Sequence, residues 1–143
     1  LCRDDAGLPR LERMAARYPQ VKFVGHGPGF WSAISGDDDR VTAYPQKPVQ
    51  PGGALDRLLA EYDNIYGEFS AGSGHNAMTR DPEYTLGFVE RHHRKLIFGT
   101  DFLKPDQPLP QVEWLTSLDV PIEWRQDMAY RNAERLLGIS PEA

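Results

Sequence analysis

Residues 95–102 read KLIFGTDF. Leu96, Ile97 and Phe98 form a short apolar run, Gly99 and Thr100 end it, and Asp101 follows at once. A short continuous apolar run between polar segments suits a strand buried on both faces, as in parallel sheets. A carboxylate just past the carboxyl end of such a strand stands where α/β proteins place their chemistry. It also stands where an Asp commonly caps a turn. The stretch alone therefore leaves Asp101 between a catalytic and a capping role.

Working outward, Asp81-Pro82 marks the N-cap and first position of a helix that runs to about His93, directly before this strand. NIYGEFSAG, residues 64–72, reads as a second strand, with Ile65 and Phe69 on one face and Tyr66, Glu68 and Ser70 on the other. VKFVGH, residues 21–26, reads as a third. Val21 and Phe23 share one of its faces, Lys22, Val24 and His26 share the other, and Gly27-Pro28-Gly29 breaks it. Helical spacing is seen at Leu8, Leu11, Ala15 and Tyr18, and again at Leu55, Leu58, Leu59 and Tyr62. Val112, Leu115 and Leu118 predict a further helix. A last helical region over 122–137 is expected to break near Asn132, which would cap its second part, and to stop at Gly138. Residues 27–53 and 72–80 read as loops, and Asp37, Asp38 and Asp39 read as a solvated turn in preference to a cation site. Alternating helices and strands predict an α/β fold with a parallel sheet.

The 143 residues suit one domain, 1–143, and 40% hydrophobic with 26% charged residues indicates a globular chain. A net charge of −5 without a Lys/Arg cluster argues against nucleic-acid and anionic-membrane partners. No apolar run approaches the ~20 residues that span a bilayer, and no signal-peptide pattern is visible. A single cysteine, Cys2, excludes an internal disulfide and fits a reducing compartment, so a cytoplasmic location is expected.

In a parallel sheet the carboxyl ends of all strands are neighbours. Here they carry His26, the Glu68/Ser70 face with the segment containing His75, and Asp101. A His and an Asp at such an edge bind a divalent metal or form a general acid–base pair. The plainer alternatives are a loop hydrogen bond for His26, solvent or an ion pair with Arg80 or Arg94 for Glu68, and surface or supporting roles for His75, His92 and His93.

VKFVGHGPGFW, NIYGEFSAGSG, KLIFGTDF and YRNAERLLGI together resemble the amidohydrolase-related family, the metal-dependent hydrolases that include decarboxylases of the aminocarboxymuconate-semialdehyde type. The resemblance runs from about Leu8 to Ile139. It implies a (β/α)8 TIM-like barrel, of which this chain would supply about strands 6 to 8 with their helices, the C-terminal portion. It implies that His26 transfers protons or activates water, and that Asp101 is both catalytic and a metal ligand, the metal being a divalent ion such as zinc. By position, Phe30, Trp31, His75 and Lys104 would line the pocket of a small-molecule substrate. The family's first-strand and fifth-strand metal-binding histidines have no counterpart here, and a full barrel takes ~250 residues. The expected partner is therefore a missing N-terminal half or an oligomer mate. The leading expectation is metal-assisted hydrolysis at a carbonyl-type centre. The alternatives are non-oxidative decarboxylation of a small carboxylate, or a non-catalytic half-barrel that serves as an interaction module.

Overall fold

The computed structural model describes residues 4–139, so Cys2 lies outside the described residues. Helix α1 (Pro9–Arg17) leads to strand β1 (Phe23–Gly25), and α2 (Pro28–Trp31) follows with a 3-10 turn over Ser32–Ile34. Then come α3 (Ala54–Glu61), β2 (Ile65–Glu68), α4 (Ala71–Thr79), α5 (Pro82–His92) and β3 (Leu96–Ile97). After β3 lie α6 (Pro110–Ser117), α7 (Ile122–Gln126), a π-helical turn at Asp127–Arg131, and α8 (Asn132–Leu137). The strands form one parallel sheet in the order β1-β2-β3, as the alternation predicts. Such a unit is consistent with part of a TIM-like barrel.

One face of the sheet is closed by helices. Ile65 and Phe69 of the central strand region are fully buried against a core that includes Leu55, Leu58, Phe88, Val89 and Leu96. On the opposite face Tyr66 and Glu68 are only half-buried and Val24 is exposed. Lys95 and Lys22 stand over the Tyr66 ring there, at 5.1 and 6.0 Å from its centroid.

The helix cores follow the expected stripes, but two expected loops are helical. Residues 28–34 form α2 and the 3-10 turn, because Gly27 turns the chain at φ 80° and Pro28 starts the helix. This places Phe30 and Trp31 in the core, at 6% and 2% exposure, packed edge-to-face. Their rings lie where side chains on Gly25 and Gly67 would stand, and these two glycines are register partners in the sheet. The strand glycines thus make a flat seat for α2. Residues 71–79 form α4 in place of the second expected loop. There Gly74 sits so close to the backbone of Phe69 that a Cβ would collide with it.

Two buried asparagines lock the connections. Asn64 Nδ2 lies 3.1 Å from the carbonyls of Ala15 and Tyr18 and 3.0 Å from that of Val21, so it holds the α1–β1 link. Asn132 Nδ2 donates to the carbonyls of His93 and Leu96 and holds the α5–β3 link. The expected cap at Asn132 is not formed. The π turn carries the helix through without a break, and the carbonyl of Met128 within it accepts from Phe98 N at 2.9 Å. Gly138 ends the chain's last helix in the left-handed conformation, as expected. Asp81 caps α5 through Tyr84 N and also accepts from Val49 N, tying down the long β1–α3 connection. Among the described residues no helix is long and apolar enough to cross a membrane.

Candidate functional site

The last β1–β2 register pair is Gly25↔Gly67, so the next residues, His26 just past β1 and Glu68, which ends β2 and pairs with Ile97 of β3, stand side by side on the open face of the sheet. His26 Nδ1 lies 2.6 Å from Glu68 Oε2. Ser70, at the start of α4, closes the triangle. Its Oγ donates to Glu68 Oε2 at 2.8 Å and lies 3.2 Å from His26 Nδ1, while its backbone N donates to Glu68 Oε1 at 2.9 Å. The His26 side chain is 48% exposed and that of Glu68 is 18% exposed. The imidazole is therefore gripped at Nδ1, and Nε2 makes no hydrogen bond among the described residues.

Two further elements hold Glu68. Trp31 Nε1 donates to the Glu68 carbonyl at 2.9 Å, just beyond the last β1–β2 pair. Gly99, past the end of β3, leaves the space that the Glu68 carboxylate occupies, and a Cβ there would overlap Oε1. The glycine of the KLIFGTDF stretch thus serves the carboxylate of the neighbouring strand. The alternative ion pairs of Glu68 with Arg80 or Arg94 are not formed among the described residues. Its partner is His26, and among the described residues Asp101 makes no hydrogen bond to that histidine.

Asp101 is half-buried and adopts a left-handed backbone, φ 47°. Its carbonyl accepts from Gln107 Nε2 at 2.8 Å, and Gln111 Nε2 donates to the Thr100 carbonyl at 3.0 Å. These glutamines fix the loop after β3, while the Asp101 carboxylate itself takes part in no hydrogen bond among the described residues. A capping role for that carboxylate is thus not seen. His75 sits on α4, half-buried, and burial lowers its pKa below the ordinary imidazole value. Lys104 is exposed on the loop after β3. Phe30 and Trp31, buried in the core, offer little surface to a ligand.

Among the described residues no group of three or more His, Cys, Asp or Glu side chains is placed to share a metal ion. His26 and Glu68 are engaged with each other through Nδ1 and Oε2. Asp37, Asp38 and Asp39 lie in a turn held by local hydrogen bonds, but the Asp38 side chain is only 6% exposed and so is not solvated as expected. Asp37 accepts from Ser35 Oγ, Asp38 from Arg40, and Asp39 from the backbone and hydroxyl of Thr42 and from Val41 N. Those bonds, led by the Thr42 backbone, hold the Asp39 carboxyl down to about 2. A cleft of about 1050 Å³ lies away from the strand ends that carry His26, lined by Asp56, Arg57, Arg91 and His92 among others. These charged heads are paired: Arg57 with Glu12 and Glu61, and Arg91 and His92 with Asp56.

Glu68 was the member of this cluster least visible in the sequence. The signal for it was there in two parts, namely its place on the same strand face as His26 and the equal offset of the two residues from Gly67 and Gly25. A family model described as amidohydrolase matches residues 3–139. Neither a search of curated proteins nor one of solved structures gave a match. With a family match over nearly its whole length, the chain belongs to the amidohydrolase family.

Proposed function

We propose that this chain carries the proton-transfer part of a hydrolytic site that acts on a carbonyl-type centre of a small substrate. The observation that supports the reading best is His26, anchored at Nδ1 by a carboxylate with Nε2 open at the carboxyl edge of the sheet. In the first step Nε2 takes a proton from water as the water oxygen bonds to the carbonyl carbon. In the second, the tetrahedral adduct collapses and Nε2 returns the proton to the leaving group, so the imidazole ends as it began. Asp101, with a carboxylate unencumbered by hydrogen bonds, orients the attacking water from the end of the neighbouring strand pair. Asp101 would also be one metal donor. One carboxylate does not hold an ion tightly, and the remaining donors and the rest of the barrel would come from outside residues 4–139, from a preceding segment or a partner chain.

The test is turnover of small amide, ester and lactone substrates by the full-length protein. His26→Gln and Asp101→Asn are each expected to cut kcat by at least about 100-fold. Asn tolerates the left-handed backbone as Asp does, so Asp101→Asn changes charge without refolding the loop. Near-normal turnover in either variant refutes the role given to that residue.

A further inference from the structure

We propose that Glu68, seated by Gly99 and bridged by Ser70, is the positioning residue that fixes the His26 proton on Nδ1 and leaves Nε2 as the working nitrogen. The inference rests on reading His26 as the proton-transfer group.

A neutral imidazole carries one proton on either nitrogen, and the free side chain favours Nε2–H. In that form Nε2 cannot accept a proton from water. A carboxylate at 2.6 Å from Nδ1 reverses the preference, because it only accepts hydrogen bonds and so requires N–H at that nitrogen. Ser70 has one hydroxyl proton and spends it on Glu68 Oε2, so at Nδ1 its oxygen acts as a second acceptor for the same N–H. Both neighbours of Nδ1 therefore ask for the same tautomer.

The carboxylate is itself held from several sides. The Ser70 amide takes Oε1, the Ser70 hydroxyl takes Oε2, and the Trp31 indole holds the carbonyl of the same residue. Gly99 supplies the space for Oε1. Its nearest would-be clash is the far end of a flexible side chain, so a methyl group at residue 99 moves the Glu68 carboxylate before it moves the strand. Gly99 is thus a third-party handle on His26, from the loop after β3 and without touching the imidazole.

The decisive experiment is a long-range proton–nitrogen correlation spectrum of the nitrogen-15-labelled full-length protein at about pH 9, well above the ordinary imidazole value. His26 is assigned by the signal lost in His26→Gln. The wild type is expected to show the Nδ1–H form. Glu68→Ala and Gly99→Ala are expected to pass to Nε2–H or a mixture. In the turnover assay, Gly99→Ala is expected to lower kcat by about 100-fold with little change in KM, a split that a purely structural role would not give. A wild-type His26 in the Nε2–H form overturns the proposal whatever the variants do, and so does a folded Gly99→Ala protein that retains the Nδ1–H form. The spectra read the tautomer without turnover. A wrong tautomer therefore defeats this proposal alone, whereas full turnover in His26→Gln defeats the reading beneath it.

Discussion

Replacing Trp31 by Phe separates what the core does for stability from what it does for the site. Trp31 is 2% exposed, and its indole N–H is the donor to the Glu68 carbonyl at 2.9 Å. Phe leaves that partly buried carbonyl without its partner, which costs about 1–3 kcal/mol. The smaller ring also gives up buried area worth about 1 kcal/mol. The expected loss is about 2–4 kcal/mol, a large share of the roughly 5–15 kcal/mol of a domain. It should appear in urea titrations as a lower midpoint with an unchanged slope, and as a Tm lower by about 6–16 °C. Incorporating benzothienylalanine at residue 31 swaps the N–H for sulfur at nearly constant shape and isolates the hydrogen bond, for an expected loss of about 1–3 kcal/mol. A benzothienyl protein within about 0.5 kcal/mol of wild type, the range of ordinary surface changes, would refute the claim that the indole anchors the end of β2.

Two other outcomes follow from the described geometry. Asn64→Ala removes the donor facing three backbone carbonyls and should cost about 2–4 kcal/mol by urea midpoint, and a loss no greater than a surface substitution would show that water replaces the side chain. Burial pushes Asp56 up, but hydrogen bonds from Arg91 and His92 outweigh it and hold the carboxyl below its ordinary 3.8. A carboxyl lowered in the folded state stabilises above its unfolded pKa, and that stability is lost as pH falls through the folded value. Asp56→Asn should therefore trail the wild type by up to about 1 kcal/mol near neutral pH, since the pair is partly exposed. The gap should close below about pH 4, and one as wide at about pH 2.5 as at about pH 5 would contradict the assignment.

The periodic signals in the sequence carried the sheet, α3, α5 and the placing of His26 at a strand end, whereas β3 stops at Ile97 and leaves Asp101 four residues beyond it in the following loop. What failed did so for local reasons. Gly72, Ser73 and Gly74 look like loop residues, yet the missing Cβ of Gly74 is what lets α4 press against the Phe69 backbone. Gly-Pro-Gly hid α2, since Pro28 there is a helix start and not only a breaker. The roles of Asn64 and Asn132 depend on carbonyls from distant turns, which no window around either residue contains. The Glu68–His26 contact spans 42 positions. Alternation put both on one face, but choosing His26 over Arg80 or Arg94 required the register.

Strand β3 has only two residues, Leu96 and Ile97, yet the seat of Glu68 lies just beyond it at Gly99. So short an edge strand is a natural place for brief local opening. The amides of Gly67 and Phe69, which donate to Lys95 and Ile97, report on that opening by hydrogen exchange. Each excursion of β3 also withdraws one wall of the carboxylate seat. The lifetime of the ordered histidine is then tied to the exchange protection of the Gly67 and Phe69 amides, and conditions that quicken their exchange shorten the time the site stays assembled.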